Sequence, residues 1–69
     1  MAEYEKGLLV CYLQGENALV PDRTVGTIEK SDRKGNLLVR FENGIQTKVN
    51  VKRDCIALCQ RRNNRVYLM

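Results

Sequence analysis

The fold is decided by the stretch TVGTIEKSDRKGNLLVRFENGIQTKVNV, residues 24–51. It predicts three consecutive antiparallel strands, over residues 24–31, 37–42 and 45–51, joined by two short polar turns that each contain a glycine. In the second turn, Asn43 and Gly44 are typical of a two-residue type I′ turn, in which both residues have positive φ. Gly26, inside the first of these strands, predicts a bulge or a sharp bend.

Alternation of apolar and polar residues gives the last two of these strands an inward and an outward face, because successive side chains of a strand point to opposite sides. The outward set includes Arg40 on one strand and Lys48 on the next, followed by Lys52. The residues predicted to face inward are Leu37, Val39, Phe41, Ile45, Thr47, Val49 and Val51.

The remainder of the chain adds shorter elements around this meander. Residues 7–14 predict a first strand, and residues 15–23 a loop from which Leu19 and Val20 pack back against the core. Residues 52–55 predict a short turn or a single 3₁₀ turn. Residues 55–60 and 65–69 predict two last strands, with a loop over 61–64 in which Asn63 and Asn64 tolerate positive φ. No stretch has the 3.6-residue period of a long helix.

Sixty-nine residues are enough for one domain, residues 1–69. The order of strands and turns in this part of the chain resembles that of the SH3-like small barrels of the Tudor and KOW kind. It consists of a strand with a glycine at Val25–Ile28, a polar turn at 32–36, an apolar strand at Leu38–Phe41, a turn at 42–44 and a further strand from Ile45. The resemblance covers roughly residues 7–60. It implies an all-β fold: a small SH3-like barrel of five or six short antiparallel strands with a short 3₁₀ turn and no long helix, whose closure removes most exposed strand edges.

The charge of the chain is unevenly distributed. The net charge is +4, but residues 1–42 contain six basic and seven acidic residues, whereas residues 43–69 contain six basic residues and Asp54 as the single acid. Positive charge concentrated in one part of a chain indicates an anionic partner.

The composition argues against an enzyme, a metal site and a membrane protein. Histidine, the commonest general base and metal ligand, is absent. Cys11, Cys55 and Cys59 are one thiolate short of a closed tetrahedral zinc site, so we expect no metal and no cofactor. The odd number of cysteines and the acidic, polar start of the chain favour free thiols and a cytoplasmic location. No apolar run approaches the ~20 residues that span a bilayer.

KOW- and Tudor-like barrels commonly contact RNA or DNA, so the resemblance implies nucleic-acid binding. The methyl-lysine cage of some Tudor domains is not expected, because the chain has only four aromatic residues. Basic side chains would bind the phosphate backbone of RNA or DNA, largely independently of base sequence. The candidate nucleic-acid-binding residues are Arg40, Lys48, Lys52, Arg53, Arg61, Arg62 and Arg65.

Three alternatives to nucleic-acid binding stay open. The same charges are what a small β protein uses to remain soluble and to discourage edge pairing. The chain also fits a protein-interaction module, an adaptor or inhibitor that binds an acidic protein surface. A homo-oligomer through the C-terminal edge strand is possible as well, with Tyr67 and Met69 projecting outward if Val66 and Leu68 face inward.

Overall fold

The computed structural model describes residues 4–15 and 20–69, and in these residues the chain forms β-strands and turns without a helix. The all-β class is therefore confirmed, and the strand at 24–31 has the predicted bounds. The first strand begins two residues later than predicted. The six strands are β1 (Leu9–Gln14), β2 (Thr24–Ser31), β3 (Asn36–Phe41), β4 (Gln46–Asn50), β5 (Cys55–Arg62) and β6 (Arg65–Leu68).

The strands form one antiparallel sheet in the order β4-β3-β2-β1-β5-β6. Because β4 and β6 lie at opposite edges and do not pair, the described sheet is open, and the predicted closure into a barrel does not occur. The chain leaves β4 through a turn and pairs β5 with β1, and β6 then extends the sheet further away from β4.

The turn between β4 and β5 shows why β4 gains no second strand neighbour at this end. The carbonyl of Asn50 accepts hydrogen bonds from the amides of Arg53 (3.2 Å) and Asp54 (2.8 Å), and the Asp54 carboxylate accepts one from the Asn50 amide (3.0 Å). The first of these is an i→i+3 bond of the 3₁₀ type, and the turn that it closes begins at Asn50, two residues before the turn predicted at residues 52–55. The turn thereby satisfies the N–H and C=O groups of Asn50, which another strand would otherwise pair with.

One face of the sheet, the inner face, carries the main core. The aromatic rings of Tyr12 and Phe41 meet edge to face, with centroids 6.0 Å apart. Val20 is buried here as predicted, whereas Leu19 lies outside the described residues. On β3 and β4 the predicted inward residues Leu37, Val39, Phe41 and Val49 are buried. The buried members of this inner cluster are Val10, Tyr12, Val20, Ile28, Leu37, Val39, Phe41 and Val49.

The irregularity of β2 lies three residues later than predicted. The register with β3 shifts between Ile28 and Lys30, so the bulge is at Glu29 and not at Gly26. Gly26 is instead required for close packing: a Cβ there would lie 2.5 Å from Cγ1 of Val39 and 2.8 Å from Cδ1 of Phe41. Val39 and Phe41 of the inner cluster occupy the space that a side chain at residue 26 would fill.

The two turns of the meander share a geometry that differs from the predicted type I′ turn. Gly44 has φ +87°, but Asn43 is not among the residues with positive φ. The amide of Gly44 donates to the carbonyl of Phe41 (3.0 Å), and the amide of Phe41 donates to the carbonyl of Ile45 (2.8 Å). These bonds define a three-residue loop with its last residue in the left-handed region. The turn at 32–36 ends the same way, with Gly35 at φ +87°.

A second, smaller apolar cluster lies on the opposite, outer face. Cys11 and Cys59 are buried there beside Val25, with Leu9 and Leu13 packed against them. Burial raises the pKa of both thiols; for Cys59 the neighbouring Cys11 adds to the rise, and for Cys11 the charge of Arg23 opposes it. Both are free cysteines, and Cys55 is free and exposed.

Candidate nucleic-acid interface

The β5–β6 hairpin brings together two of the predicted arginines. Asn63 (φ +49°) and Asn64 (φ +64°) have the positive φ that their residue type was expected to tolerate. They form a tight two-residue turn in place of the loop predicted over residues 61–64, because β5 continues through Arg62. This turn sets Arg62 directly opposite Arg65, and the next pair on the same face, two residues further along each strand, is Gln60 opposite Tyr67. We call these four residues, Gln60, Arg62, Arg65 and Tyr67, the hairpin face.

The electrostatics of the hairpin face are unbalanced. Directly opposite residues have Cβ atoms about 4.5–5.5 Å apart, and like charges in this position destabilise a strand pair. Neither Arg62 nor Arg65 forms an ion pair with a described residue. Both are exposed. The hairpin therefore places two residues of like charge opposite each other at a small cost in stability, and a bound anion would reduce that cost.

Tyr67 supplies an aromatic surface next to the arginine pair. Its side chain is 46% exposed, whereas Tyr12 is fully buried and donates a hydrogen bond to Asp54 (3.0 Å). Tyr67 lies two residues from Arg65 on the same face, roughly 7 Å along the strand. Cationic groups that bind phosphates beside a ring that can stack on a base are the arrangement used by single-strand-binding proteins.

Three other predicted arginines are held by carboxylates. Arg40 Nε lies 3.2 Å from Glu29 Oε2, and Arg53 lies 3.1 Å from Asp54 Oδ2. Arg61, on the opposite side of β5 from Arg62, pairs with Glu42 at the β3–β4 turn. The structure thus separates these three, Arg40, Arg53 and Arg61, from the hairpin face and partly neutralises them.

The two predicted lysines lie at the other end of the molecule. Lys52 is in the turn that precedes β5, whereas Arg62 is the last residue of β5, so about 23 Å of strand separates the two regions. Lys48 on β4 lies opposite Leu38, which lies opposite Lys30 on β2. Lys30 and Lys48 line an open groove of about 610 Å³ with Ser31 and Asn36. The seven predicted residues therefore do not form one continuous patch.

Sequence reasoning left Lys30, Gln60 and Tyr67 out of the candidate set. Lys30 was missed because regular alternation from buried Ile28 would turn it inward, and the bulge at Glu29 turns it outward. For Gln60 and Tyr67, the available signal was the Asn63-Asn64 pair: counting outward from a two-residue turn gives the pairs 62–65 and 60–67.

The described residues contain no cluster of three or more acidic or cysteine side chains positioned to hold a metal ion. Over the same part of the chain, residues 4–15 and 20–69, no helix has the length and apolar character needed to cross a bilayer.

Comparison of the chain with models of known protein families, with characterised proteins and with solved structures gives no significant match.

Proposed function

We propose that this chain is a small, non-enzymatic module that binds single-stranded RNA or DNA through the hairpin face. The observation that carries the proposal is the cross-strand pair of Arg62 and Arg65, which have no described acidic partner and share a face with exposed Tyr67. The guanidinium groups would bind adjacent phosphates, and the tyrosine ring would stack on a base.

The proposal favours a single strand over a duplex for a physical reason. A ring can stack on a base only where that base is unpaired and accessible, and such stacking contributes about 1–3 kcal/mol per base. Gln60, opposite Tyr67, provides an amide that can hydrogen-bond to a base edge or a phosphate. With one ring and no further aromatic side chain on this face, recognition would depend little on base sequence.

We also propose that the chain is related in fold to SH3-like barrels of the KOW and Tudor kind. Six short antiparallel strands in 69 residues, with a bulge in the second, are compatible with an opened version of such a barrel. The three free cysteines agree with the proposed cytoplasmic location.

The proposal predicts that reversing the charge of the arginine pair strongly weakens binding. In fluorescence anisotropy with a labelled mixed-sequence single-stranded oligonucleotide, we expect Arg62→Glu with Arg65→Glu to weaken binding by at least about tenfold, since both phosphate contacts become repulsions. Arg33→Glu with Lys34→Glu is the matched control, because it makes the same charge change at the exposed tip of the β2–β3 hairpin.

Equal loss in both double variants would mean that net charge alone drives binding, and the hairpin face would be the wrong site. No loss in the Arg62/Arg65 variant would exclude it directly. Binding of the wild-type protein to a polyglutamate peptide with the same affinity as to the oligonucleotide would favour the alternative, a module for acidic protein surfaces.

A further inference from the structure

Strand β6 is an open edge made of exposed residues. Its exposed large apolar residues include Val66, Tyr67 (46% exposed) and Leu68 (57% exposed), and Met69 follows at 76%. The conditional expectation that Val66 and Leu68 face inward is wrong, because β6 lies beyond the core and both of its faces are accessible. Exposed apolar edges are where sheets pair with other chains.

The hydrogen-bonding pattern shows which backbone groups are available. The amide of Met69 donates to the carbonyl of Leu58 (2.9 Å), so Met69 directs its backbone toward β5. In an antiparallel ladder, the direction of the backbone N–H and C=O groups alternates from one residue to the next. The backbone groups of Tyr67 and Arg65 therefore point toward β5 as well. Val66 and Leu68 therefore direct their N–H and C=O groups to the open edge.

The opposite edge of the sheet is protected in ways that β6 is not. At β4, the outward backbone groups of Asn50 are already bonded to the turn that contains Asp54. The outward position before it carries Lys48, a residue type that discourages edge pairing. No lysine, proline or acidic residue occurs in β6.

We propose that two copies of this chain associate through antiparallel pairing of β6 with β6, around a two-fold axis at Tyr67. With the axis there, Val66 of each copy lies opposite Leu68 of the other, so both outward-facing residues of each strand form hydrogen bonds. An axis at Val66 would instead place Leu68 opposite Asn64 in the turn. The register at Tyr67 is thus the one that pairs all the available edge groups of β6.

Side chains in this register are self-complementary. On the outer face, Val66 would pack against Leu68 of the second copy, and Leu68 is itself opposite Cys59, which belongs to the outer cluster. The apolar surface of that cluster would continue across the axis. Each Arg65 would lie opposite Met69 of the second copy, which keeps the two arginines apart. On the hairpin face, the two Tyr67 rings would lie side by side.

The dimer and the nucleic-acid site share Tyr67, but dimerisation does not require nucleic acid, because the new hydrogen bonds use backbone groups and leave Arg62 and Arg65 accessible. The interface is one short strand, so the dimer should be reversible and dissociate on dilution. Sedimentation velocity over a concentration series of the full chain measures this directly.

The sharpest variant is Val66→Pro. It removes an amide that points to the open edge and none that bonds to β5, so the hairpin keeps its own ladder. We expect it to weaken dimerisation by about tenfold or more, and Leu68→Lys to do the same by placing a charge in the interface. Gln46→Pro is the matched control at the other edge, where residue 46 also points outward, and should dimerise like the wild type.

Cysteine cross-linking tests the register. In a Cys55→Ser background, Tyr67→Cys places two cysteines opposite each other at the axis, within the 4.4–6.8 Å Cα separation that a disulfide allows, and an added mild oxidant such as oxidised glutathione should link them. Arg65→Cys should not cross-link. A wild-type protein that is monomeric at all concentrations, or a Val66→Pro variant that dimerises equally well, would overturn the proposal. Efficient cross-linking at residue 65 but not at 67 would overturn the register.

Discussion

At the scale of single residues, the contact that most clearly joins distant parts of the chain is that between Tyr12 and Asp54. Asp54 is 3% exposed, and its carboxylate accepts hydrogen bonds from the Tyr12 hydroxyl (3.0 Å), the Asn50 amide (3.0 Å) and Arg53 (3.1 Å). Burial alone would raise the pKa of Asp54, but these three hydrogen bonds outweigh it, and the pKa is lowered. The carboxylate ties β1 to the turn that precedes β5.

Gly15 packs closely against the side chains of Tyr12 and Asp54. A Cβ on Gly15 would overlap the hydroxyl oxygen of Tyr12 and lie 2.5 Å from Oδ1 of Asp54. The sequence contains no sign of this contact, because nothing local distinguishes Gly15 from an ordinary loop glycine. From the sequence alone, Asp54 is likewise expected to be a solvent-exposed turn residue. The fold buries it beside Tyr12.

We expect Asp54→Asn to destabilise the protein by about 1–3 kcal/mol at pH 7, since an amide cannot accept all three hydrogen bonds. Because the folded-state pKa is lowered, the carboxylate contributes fully above the unfolded-state pKa of about 4 and loses its contribution as pH falls through the folded-state value. Urea unfolding of both proteins at pH 7 and at successively lower pH should show the stability difference shrinking below pH 4. A difference that is absent at pH 7 would contradict this role for Asp54.

At the scale of elements, the turn between β5 and β6 determines which side chains lie opposite each other on the hairpin face. Asn63 and Asn64 both have positive φ, which a β-branched residue adopts only at a cost of about 1–3 kcal/mol. The turn is what sets Arg62 opposite Arg65 and Gln60 opposite Tyr67.

Replacing Asn64 with valine should therefore loosen the hairpin and leave the core folded. Hydrogen exchange is expected to show the Tyr67 amide losing protection while amides of β2 and β3, such as those of Ile28 and Val39, keep theirs. Nucleic-acid binding should weaken although no residue of the hairpin face has changed. Asn64→Gly is the control, because glycine accepts this φ without strain and should retain both properties. Equal exchange in the two variants would show that the turn does not control the hairpin.

Strand positions followed from the sequence better than turn geometry did. Alternation of apolar residues placed β2, β3 and β4 to within about a residue, because each has one buried face. The bulge at Glu29 and the three-residue loop at Glu42–Gly44 could not be read in the same way, since they depend on how neighbouring strands pair. Asn-Gly is compatible with more than one turn, and pairing of Phe41 with Ile45 selects among them.

At the scale of the whole molecule, the sheet is open, and its two edges differ. The expectation of a closed barrel came from the resemblance to SH3-like barrels. That resemblance rests on the number, length and order of strands and turns, which do not specify whether the sheet closes. Here β4 and β6 lie at opposite edges, and the predicted basic residues are spread over β3, β4, the turn before β5, β5 and β6. The positive charge can be counted from the sequence, but only the fold shows that three of the seven predicted residues are paired with carboxylates.

The salt dependence of oligonucleotide binding tests the central claim most directly, because it counts the phosphates that the protein neutralises. For a single strand the slope of log K against log salt is about −0.7 per phosphate contact, so Arg62→Gln with Arg65→Gln should make the slope shallower by about 1.4. The control Arg33→Gln with Lys34→Gln should leave the slope at the wild-type value. An unchanged slope in the Arg62/Arg65 variant, or an equal change in the control, would contradict binding through the hairpin face.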